Sequence, residues 1–122
     1  MKTILVVDDS RIMRNIVKNT FSELKIPCQF LEAENGQKAC QLLEQNKVSL
    51  ILLDWNMPEM DGMQFLKKVR SMPDYKDLPI IMVTSESAKY SVVEALQNGA
   101  TDYIVKPIRD KVFMEKLSDI QF

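Results

Sequence analysis

The chain alternates between short apolar runs and longer segments in which apolar residues recur every three or four positions. Short apolar runs bounded by polar or turn residues are typical of strands that are buried on both faces of a sheet. The sequence therefore predicts five strands, at residues 4–7, 30–33, 48–53, 80–83 and 103–105.

The segments between these runs predict amphipathic helices, because their apolar residues fall on one face of a helix with 3.6 residues per turn. Asn98-Gly99 follows the fourth segment and is a typical helix stop. Five alternations of strand and helix predict an α/β fold, a doubly wound (βα)5 three-layer sandwich around a five-stranded parallel sheet. The five apolar stripes are Met13, Ile16, Val17, Thr20, Phe21 and Leu24; Ala39, Leu42 and Leu43; Phe65, Leu66 and Val69; Val92, Ala95 and Leu96; and Phe113, Leu117 and Ile120.

The composition narrows the class of protein. A length of 122 residues suits one domain over residues 1–122, and the formal net charge of −1 gives none of the basic excess of a nucleic-acid binder. The sequence has no His, which excludes a Cys/His metal site and a Ser-His-Asp triad. Cys28 and Cys40 are expected to be ordinary core thiols. No apolar run is long enough for a signal peptide or a membrane span, so we expect a soluble cytoplasmic protein.

Polar or charged residues that can bind ligands or react follow four of the five predicted strands. Asp8-Asp9 follows the first, Asp54 the third, Thr84-Ser85 the fourth and Lys106 the fifth. The strands of a parallel sheet all point the same way, and open α/β sheets bind ligands outside the carboxyl ends of their strands. We therefore expect these side chains to share one shallow site.

Such a site suits a phosphoryl group. Three neighbouring carboxylates repel one another, and a hard divalent cation such as Mg²⁺, which prefers oxygen ligands, relieves this repulsion. Lys106 adds a positive charge opposite the acids, and a carboxylate can itself act as a nucleophile to form an aspartyl phosphate. The sequence thus favours phosphoryl transfer to an aspartate.

Each of these residues also has an ordinary explanation. Asp8, Asp9 or Ser10 could simply cap the first helix, and Asp54 could be a loop acid. Thr84 is a common residue at strand ends, and Lys106 would usually be a solvated surface lysine. All of these explanations would have to hold together at converging strand ends, which favours a shared site.

In order and spacing, these segments resemble the receiver domains of bacterial two-component response regulators, and most of all the stand-alone chemotaxis regulators. The resemblance covers essentially the whole chain and implies the flavodoxin-like strand order 2-1-3-4-5. It rests on Val6-Val7-Asp8-Asp9-Ser10; Leu53-Asp54-Trp55-Asn56-Met57-Pro58 with Met60-Asp61-Gly62; Met82-Val83-Thr84-Ser85-Glu86; and Tyr103-Ile104-Val105-Lys106-Pro107.

The resemblance implies a role for each site residue. Asp54 is the expected phosphoacceptor. Thr84 is the expected switch hydroxyl, and Lys106 is expected to pair first with the acceptor carboxylate and then with the phosphoryl oxygens. The Tyr103 ring is expected to turn inward on activation. The expected Mg²⁺ ligands are Asp9, Asp54, the backbone carbonyl of Asn56 and, through water, Asp8.

The resemblance also implies two further features of the site. In the family the Lys106–Pro107 peptide bond is cis. Asn56 and Glu86 occupy positions that control the access of water to the phosphate and thereby the rate of dephosphorylation.

The implied protein is a signalling switch, with intrinsic Mg²⁺-dependent autophosphorylation and autodephosphorylation, and not a dedicated enzyme. A chain without His needs a separate histidine kinase as phosphodonor. The expected output is a changed face, formed by the fourth helix, the fifth strand and the fifth helix, that binds a downstream protein such as the flagellar motor switch. An auxiliary phosphatase is a further expected partner, and the protein is expected to be a monomer that neither binds nucleic acid nor inserts into a membrane.

Three other functions use a similar fold or a similar aspartate. A haloacid-dehalogenase-type phosphatase needs a second Asp two positions after its nucleophile, where this chain has Asn56. A flavin carrier needs a phosphate-binding loop after the first strand, where this chain has carboxylates. A phosphorelay intermediate, or the isolated receiver of a larger regulator, stays open.

Overall fold

The computed structural model describes residues 1–55, 57, 60–84, 89–120 and 122, with the backbone alone for residues 89–91. Within this part of the chain, strands and helices alternate strictly, as the hydrophobic pattern predicts. The elements are β1 (Lys2–Val7), α1 (Arg11–Glu23), β2 (Cys28–Ala33), α2 (Gly36–Gln45), β3 (Leu50–Asp54), α3 (Gly62–Arg70), a 3-10 turn (Pro73–Tyr75), β4 (Ile80–Thr84), α4 (Lys89–Gln97), β5 (Asp102–Val105) and α5 (Asp110–Ser118).

All of the strand pairs are parallel, and the strand order is β2-β1-β3-β4-β5, which confirms the predicted topology. The register aligns the carboxyl ends of the three central strands and β5. Val7 pairs with Leu53, Asp54 with Val83, and Thr84 with Val105. The residues that end these strands therefore meet along one edge of the sheet.

Two apolar cores cover the two faces of the sheet, because successive strand residues point to opposite sides. In β1, Leu5 and Val7 enter one core while Ile4 and Val6 enter the other. The first core is completed by α2, α3 and α4, and the second by α1 and α5. Phe21 and Phe113, from α1 and α5, meet edge to face with their ring centroids 5.1 Å apart.

The helix ends follow their local sequence signals. Ser10 caps α1 through a bond that its Oγ accepts from Met13 N–H, and Asp61 forms a capping box with Gln64 at the start of α3. After α4, Gly99 has a φ of 102°, a conformation that glycine adopts without strain. The predicted stop at Asn98-Gly99 is thus confirmed.

Some details of the sequence prediction are wrong. The third strand begins at Leu50 and not at residue 48, although Ser49 N–H already donates to Thr3 O of the neighbouring chain segment. Ile16 and Leu96 were placed on buried helix faces but are 39% and 42% exposed. β2 is only partly buried because it is the outermost strand, with a neighbour on one side alone.

The two cysteines are free and half-buried, and each packs at the margin of one core. Burial raises the pKa of both thiols, as expected for structural cysteines. Among the described helices, none combines the length and the apolar character that crossing a bilayer requires.

Candidate functional site

The edge of the sheet formed by the carboxyl ends of the strands brings together three carboxylates. Asp8 and Asp9 follow β1, and Asp54 is the last residue of β3. One oxygen from each of the three carboxylates lies within 4.8 Å of the others. Asp8 and Asp54 are buried, whereas Asp9 is exposed, so the cluster is open to solvent on one side.

Lys106 places its ammonium group against this cluster. Its Nζ donates to Oδ1 of Asp54 at 3.0 Å and lies 4.0 Å from Oδ2 of Asp8. The lysine side chain is 30% exposed, while the two carboxylates are 7% exposed or less, so the acids sit deeper than the cation. The backbone N–H of Lys106 donates to Thr84 O at 2.7 Å, and the Lys106–Pro107 peptide bond is cis, the isomer that the resemblance implied.

The surroundings of the two buried acids raise the pKa values of Asp8 and Asp54. The pKa of Asp8 is raised to about 6, mainly by burial and also by the charges of Asp54 and Asp9, while the Ser10 N–H bond and Lys106 act in the opposite direction. Burial also raises the pKa of Asp54, with a contribution from the charge of Asp9, although Lys106 and the Trp55 N–H act in the opposite direction. Burial and the mutual repulsion of the acids therefore outweigh the stabilisation of the charged carboxylates by Lys106 and by the backbone N–H groups.

Ser10, and not either aspartate, caps the first helix, so the ordinary explanation for Asp8 and Asp9 does not hold. The Asp8 carboxylate instead accepts the Ser10 N–H at 2.8 Å through Oδ1. Its other oxygen, Oδ2, is the one that lies toward Lys106. The turn between β1 and α1 thus presents one oxygen of Asp8 to the site.

Gly62 shapes the other side of the site. Its N–H donates to Trp55 O at 2.9 Å, and a Cβ at this position would lie 2.5 Å from Asp54 O. Only glycine allows this approach of α3 to the end of β3. Sequence reasoning used Gly62 as part of a motif but assigned it no role, because a close backbone approach leaves no local signal in the sequence.

The two expected switch residues differ in their surroundings. Thr84 Oγ1 is buried and has no hydrogen-bond partner among the residues that the structure describes. Tyr103 is half-buried, and Nζ of Lys116 lies 4.4 Å from its ring centroid while also pairing with Asp102 at 2.9 Å. Within the described part of the chain, Thr84 is therefore a buried donor without an acceptor, whereas the Tyr103 ring contacts the ammonium group of Lys116.

Arg14 is a site residue that sequence reasoning missed. Its Nη1 donates to Asp8 O at 2.7 Å, and its Nε donates to Glu32 Oε1 at 3.1 Å. The spacing of residues gives no signal for this role, because the role depends on contacts with a backbone carbonyl and with a residue of another strand. Two of the predicted site residues, Asn56 and Glu86, lie outside the described residues. Both were expected to tune dephosphorylation, and Asn56 was also expected to be a backbone ligand of the cation.

The residues present fit a divalent cation. Oxygen atoms of Asp8, Asp9 and Asp54 are hard donors close enough to share one ion, and a cation would compensate the negative charge that three neighbouring carboxylates concentrate there. Lys106 supplies one compensating positive charge, and the exposed side of the cluster gives an ion access.

The chain is similar to known proteins in sequence over most of its length. Residues 4–118 match the family model described as the response regulator receiver domain. A chemotaxis protein CheY homolog of Campylobacter jejuni is 50% identical over 118 residues, which cover 96% of this chain and 90% of that protein. Chemotaxis protein CheY1 of Helicobacter pylori is 50% identical over 115 residues, covering 93% of this chain and 92% of that protein.

Solved structures agree with these relatives. The chemotaxis protein CheY4 of Vibrio cholerae superposes with a TM-score of 0.88 at 31% identity, covering 99% of both chains. The Mn²⁺-bound form of response regulator Rcp1 superposes with a TM-score of 0.82 at 25% identity, covering 97% of this chain and 91% of that one. The sequence, the strand order and the acidic edge lead to one conclusion: this chain belongs to the response regulator receiver family.

Proposed function

We propose that this chain, as one receiver domain over residues 1–122, is a chemotaxis phosphorylation switch that accepts a phosphoryl group on Asp54. The observation that carries the proposal is the 3.0 Å contact between Lys106 Nζ and Oδ1 of the buried Asp54, within the cluster of three carboxylates. Asp54 ends the central strand β3, so its carboxylate sits in the middle of the edge where the other site residues converge.

The proposed phosphorylation uses one nucleophile of this chain, the carboxylate of Asp54. A carboxylate oxygen of Asp54 attacks phosphorus of a phosphohistidine on a separate kinase, the P–N bond breaks, and its electron pair stays on the imidazole nitrogen. The new P–O bond makes an acyl phosphate. Attack of water on phosphorus later releases inorganic phosphate and restores the carboxylate.

The chain's own residues supply the positive charge and the hydrogen bonds. Before transfer, Lys106 favours the ionised form of Asp54, because its hydrogen bond and its charge oppose the effect of burial, which raises the pKa of this carboxyl. After transfer, the same ammonium group faces the phosphoryl oxygens, where charge-assisted bonds are strong. Lys106 therefore stabilises the Asp54 carboxylate before the transfer and the phosphoryl group after it.

We propose Mg²⁺ as the cofactor, held by Asp9, Asp54 and the Asn56 carbonyl, with Asp8 through water. When bound, Mg²⁺ neutralises negative charge on the acids and on the arriving phosphoryl group. The oxygen-only donor set supports this choice, and a structural relative is known in a Mn²⁺-bound form.

Two residues carry the proposed switch. The Thr84 hydroxyl is buried without an acceptor in the described part of the protein, so a phosphoryl oxygen on Asp54 would give it one. Its movement toward the phosphate leaves space into which the Tyr103 ring turns, and the α4-β5-α5 face changes. A partner that prefers the changed face then binds the phosphorylated protein more tightly.

The features of that face support a protein partner. A groove of about 450 Å³ lies along β5 and α5, and Val112 and Met114 on α5 are 40% and 52% exposed. Since the relatives at 50% identity are named chemotaxis proteins, we propose a chemotaxis histidine kinase as donor and the flagellar motor switch as target. We place the protein in the cytoplasm as a monomer, with an auxiliary phosphatase ending the signal.

The phosphorylation is tested by intact-mass spectrometry after incubation with acetyl phosphate and Mg²⁺. We expect one phosphoryl adduct on the wild type and on Asp74→Asn, a control for loss of an exposed carboxylate in the 3-10 turn. We expect none on Asp54→Asn or after addition of EDTA. An equal adduct on Asp54→Asn would contradict the proposal.

The partner is tested separately with the beryllofluoride complex, a stable mimic of the phosphoryl group. Motor switch protein retained by the beryllofluoride-loaded chain, and not by Asp54→Asn, supports the chemotaxis role. Retention of a histidine phosphotransfer protein alone would instead identify a phosphorelay intermediate.

A further inference from the structure

Arg14 joins the acidic turn to the neighbouring strand. From the first turn of α1, its guanidinium donates through Nη1 to Asp8 O at 2.7 Å and through Nε to Glu32 Oε1 at 3.1 Å. The arginine side chain is only 15% exposed. Glu32 lies in β2, so one guanidinium group connects the end of β1, the start of α1 and the edge strand of the sheet.

Asp8 is thereby held at three of its hydrogen-bonding groups. Its N–H donates to Ala33 O at 3.0 Å, its Oδ1 accepts from Ser10 N–H at 2.8 Å, and its carbonyl accepts from Arg14. Asp8 is 5% exposed, so water has little access to replace any of these partners. The remaining oxygen, Oδ2, is left to face Lys106 and the site.

We infer that Arg14 is a positioning residue for the acidic site, one that fixes Asp9 through the backbone. The carbonyl that Arg14 binds belongs to the peptide unit between Asp8 and Asp9, so the guanidinium sets the orientation of the peptide that leads into Asp9. Asp9 itself is exposed and depends on its backbone for its direction. This inference rests on the proposed cation site, for which Asp9 is an expected ligand.

Glu32 keeps the guanidinium in place. One of its carboxylate oxygens binds Arg14 and the other binds Lys18 Nζ, each at 3.1 Å. These two bonds are among the causes that lower the pKa of Glu32 despite its partial burial. A planar guanidinium can bind the Asp8 carbonyl and the Glu32 carboxylate at once in a fixed geometry, whereas an ammonium group offers a point charge without that fork.

Arg14 could act through its charge or by fixing the turn, and these two roles predict opposite effects of its loss on cation binding. If Arg14 acted only through its charge, its removal would leave the site more negative, and a divalent cation would bind more tightly. If Arg14 acts by fixing the turn, its removal frees Asp9, and the cation binds more weakly. Lys18 is the matched control, because it carries the same charge to the same carboxylate without contacting Asp8.

The experiment measures Mg²⁺ affinity by calorimetry, with the emission of Trp55, the chain's only tryptophan and the neighbour of Asp54, as a second probe. We expect about tenfold weaker binding for Arg14→Met, the scale of effect seen when an outer partner of a metal ligand is lost. Arg14→Lys should be intermediate, and Lys18→Met should change the affinity less than about twofold.

A second readout needs no cation. Amide hydrogen exchange across residues 8–10 should be at least about tenfold faster in Arg14→Met than in Lys18→Met, because the turn has lost a fixed bond. If Arg14→Met does not fold, the same comparison is made with Arg14→Lys. Should the wild type bind no Mg²⁺, the proposed cation site fails while the exchange result still tests Arg14.

The inference is overturned if folded Arg14 variants keep wild-type exchange in this turn. It is also overturned if the wild type binds Mg²⁺ and these variants bind it as tightly or more tightly. A lowered melting temperature without either change would make Arg14 an ordinary stabilising residue.

Discussion

Lys106 Nζ and Asp54 Oδ1 lie 3.0 Å apart, although the two residues are 52 positions apart in the chain. The parallel register brings them together, because Asp54 pairs with Val83 and Val105 pairs with the next residue, Thr84. Two strand ends on either side of β4 therefore contribute opposite charges to one site. The proposed phosphorylation of Asp54 depends on this pair.

Loss of Lys106 should slow phosphorylation more than it affects folding. In Lys106→Met the Asp54 carboxylate loses the bond and the charge that oppose its raised pKa. We expect phosphorylation by acetyl phosphate to slow by about 10²-fold, the usual cost of removing one donor to developing charge. Mg²⁺ binding should be equal or tighter, because one positive charge has left the site.

The measurement is the initial rate of adduct formation at saturating Mg²⁺, with Lys76→Met as an exposed control. A rate within twofold of wild type would show that Lys106 has no part in the transfer.

Gly62 and Gly36 form a matched pair for testing the close approach of backbone to the site. An Ala Cβ at position 62 would meet Asp54 O at 2.5 Å, and this backbone atom cannot move without shifting the site. At position 36 the Cβ would meet Met60 Sδ at 2.6 Å, at the end of a flexible side chain that can turn away.

We therefore expect Gly62→Ala to lower the free energy of unfolding by about 1–3 kcal/mol and Gly36→Ala by less than about 1 kcal/mol. Urea denaturation of both variants checks this order. Equal stabilities would mean that the α3 backbone can withdraw from Asp54 at no cost.

The fold could be predicted from the sequence because burial imposes a period on each element. Ile4 to Val7 and Phe65, Leu66 and Val69 are all buried as the pattern indicates. The exposure of Ile16 and Leu96 could not be predicted, since helical periodicity does not show how wide the covered face is. The edge position of β2 depends on pairing, which no local pattern contains.

The candidate site could be predicted only in part. The strand-end positions of Asp8, Asp54 and Lys106 follow from the alternation of elements and the shared direction of parallel strands. Arg14 was missed because its role depends on a contact with a backbone carbonyl and with Glu32 in another strand. Contacts of this kind depend on tertiary packing and have no signature in the spacing of residues.

Thr84→Val should separate stability from switching. The Thr84 hydroxyl is buried without a partner in the described residues, and valine has a similar shape without the unpaired donor. We expect the free energy of unfolding of the unphosphorylated protein to be unchanged or higher by up to about 1 kcal/mol. Binding of beryllofluoride should weaken, since the variant cannot donate to the mimic.

Denaturation and a beryllofluoride titration check the two halves of this prediction. A loss of more than about 2 kcal/mol of stability would indicate that the hydroxyl already has a partner in the unphosphorylated protein.

In the absence of divalent cations, the titration of Asp8 should make the free energy of unfolding depend on pH. The folded protein keeps the Asp8 proton up to about pH 6, whereas 3.8 is the ordinary pKa of the group. Between these values the folded state binds more protons than the unfolded state, so the contribution of Asp8 to the free energy of unfolding falls as the pH rises. Above about pH 7 the penalty is complete.

Asp8→Asn removes this penalty and keeps an oxygen that can accept the Ser10 N–H. We compare the free energy of unfolding of the variant with that of the wild type, both in EDTA. The difference in favour of the variant should be about 1–2 kcal/mol larger at pH 7.5 than at pH 4. Denaturation at the two pH values, with Asp74→Asn as control, measures this change. A difference that does not vary with pH would contradict the raised pKa.

The most direct measurement identifies the residue that carries the phosphoryl group. Borohydride reduces an acyl phosphate to an alcohol, so an aspartyl phosphate becomes homoserine at the modified position. After treatment with acetyl phosphate and Mg²⁺, tandem mass spectrometry should find homoserine at position 54 and none in the EDTA-treated sample. Homoserine at position 8 or 9, or none in the Mg²⁺ sample, would contradict the account of Asp54 as the phosphoacceptor.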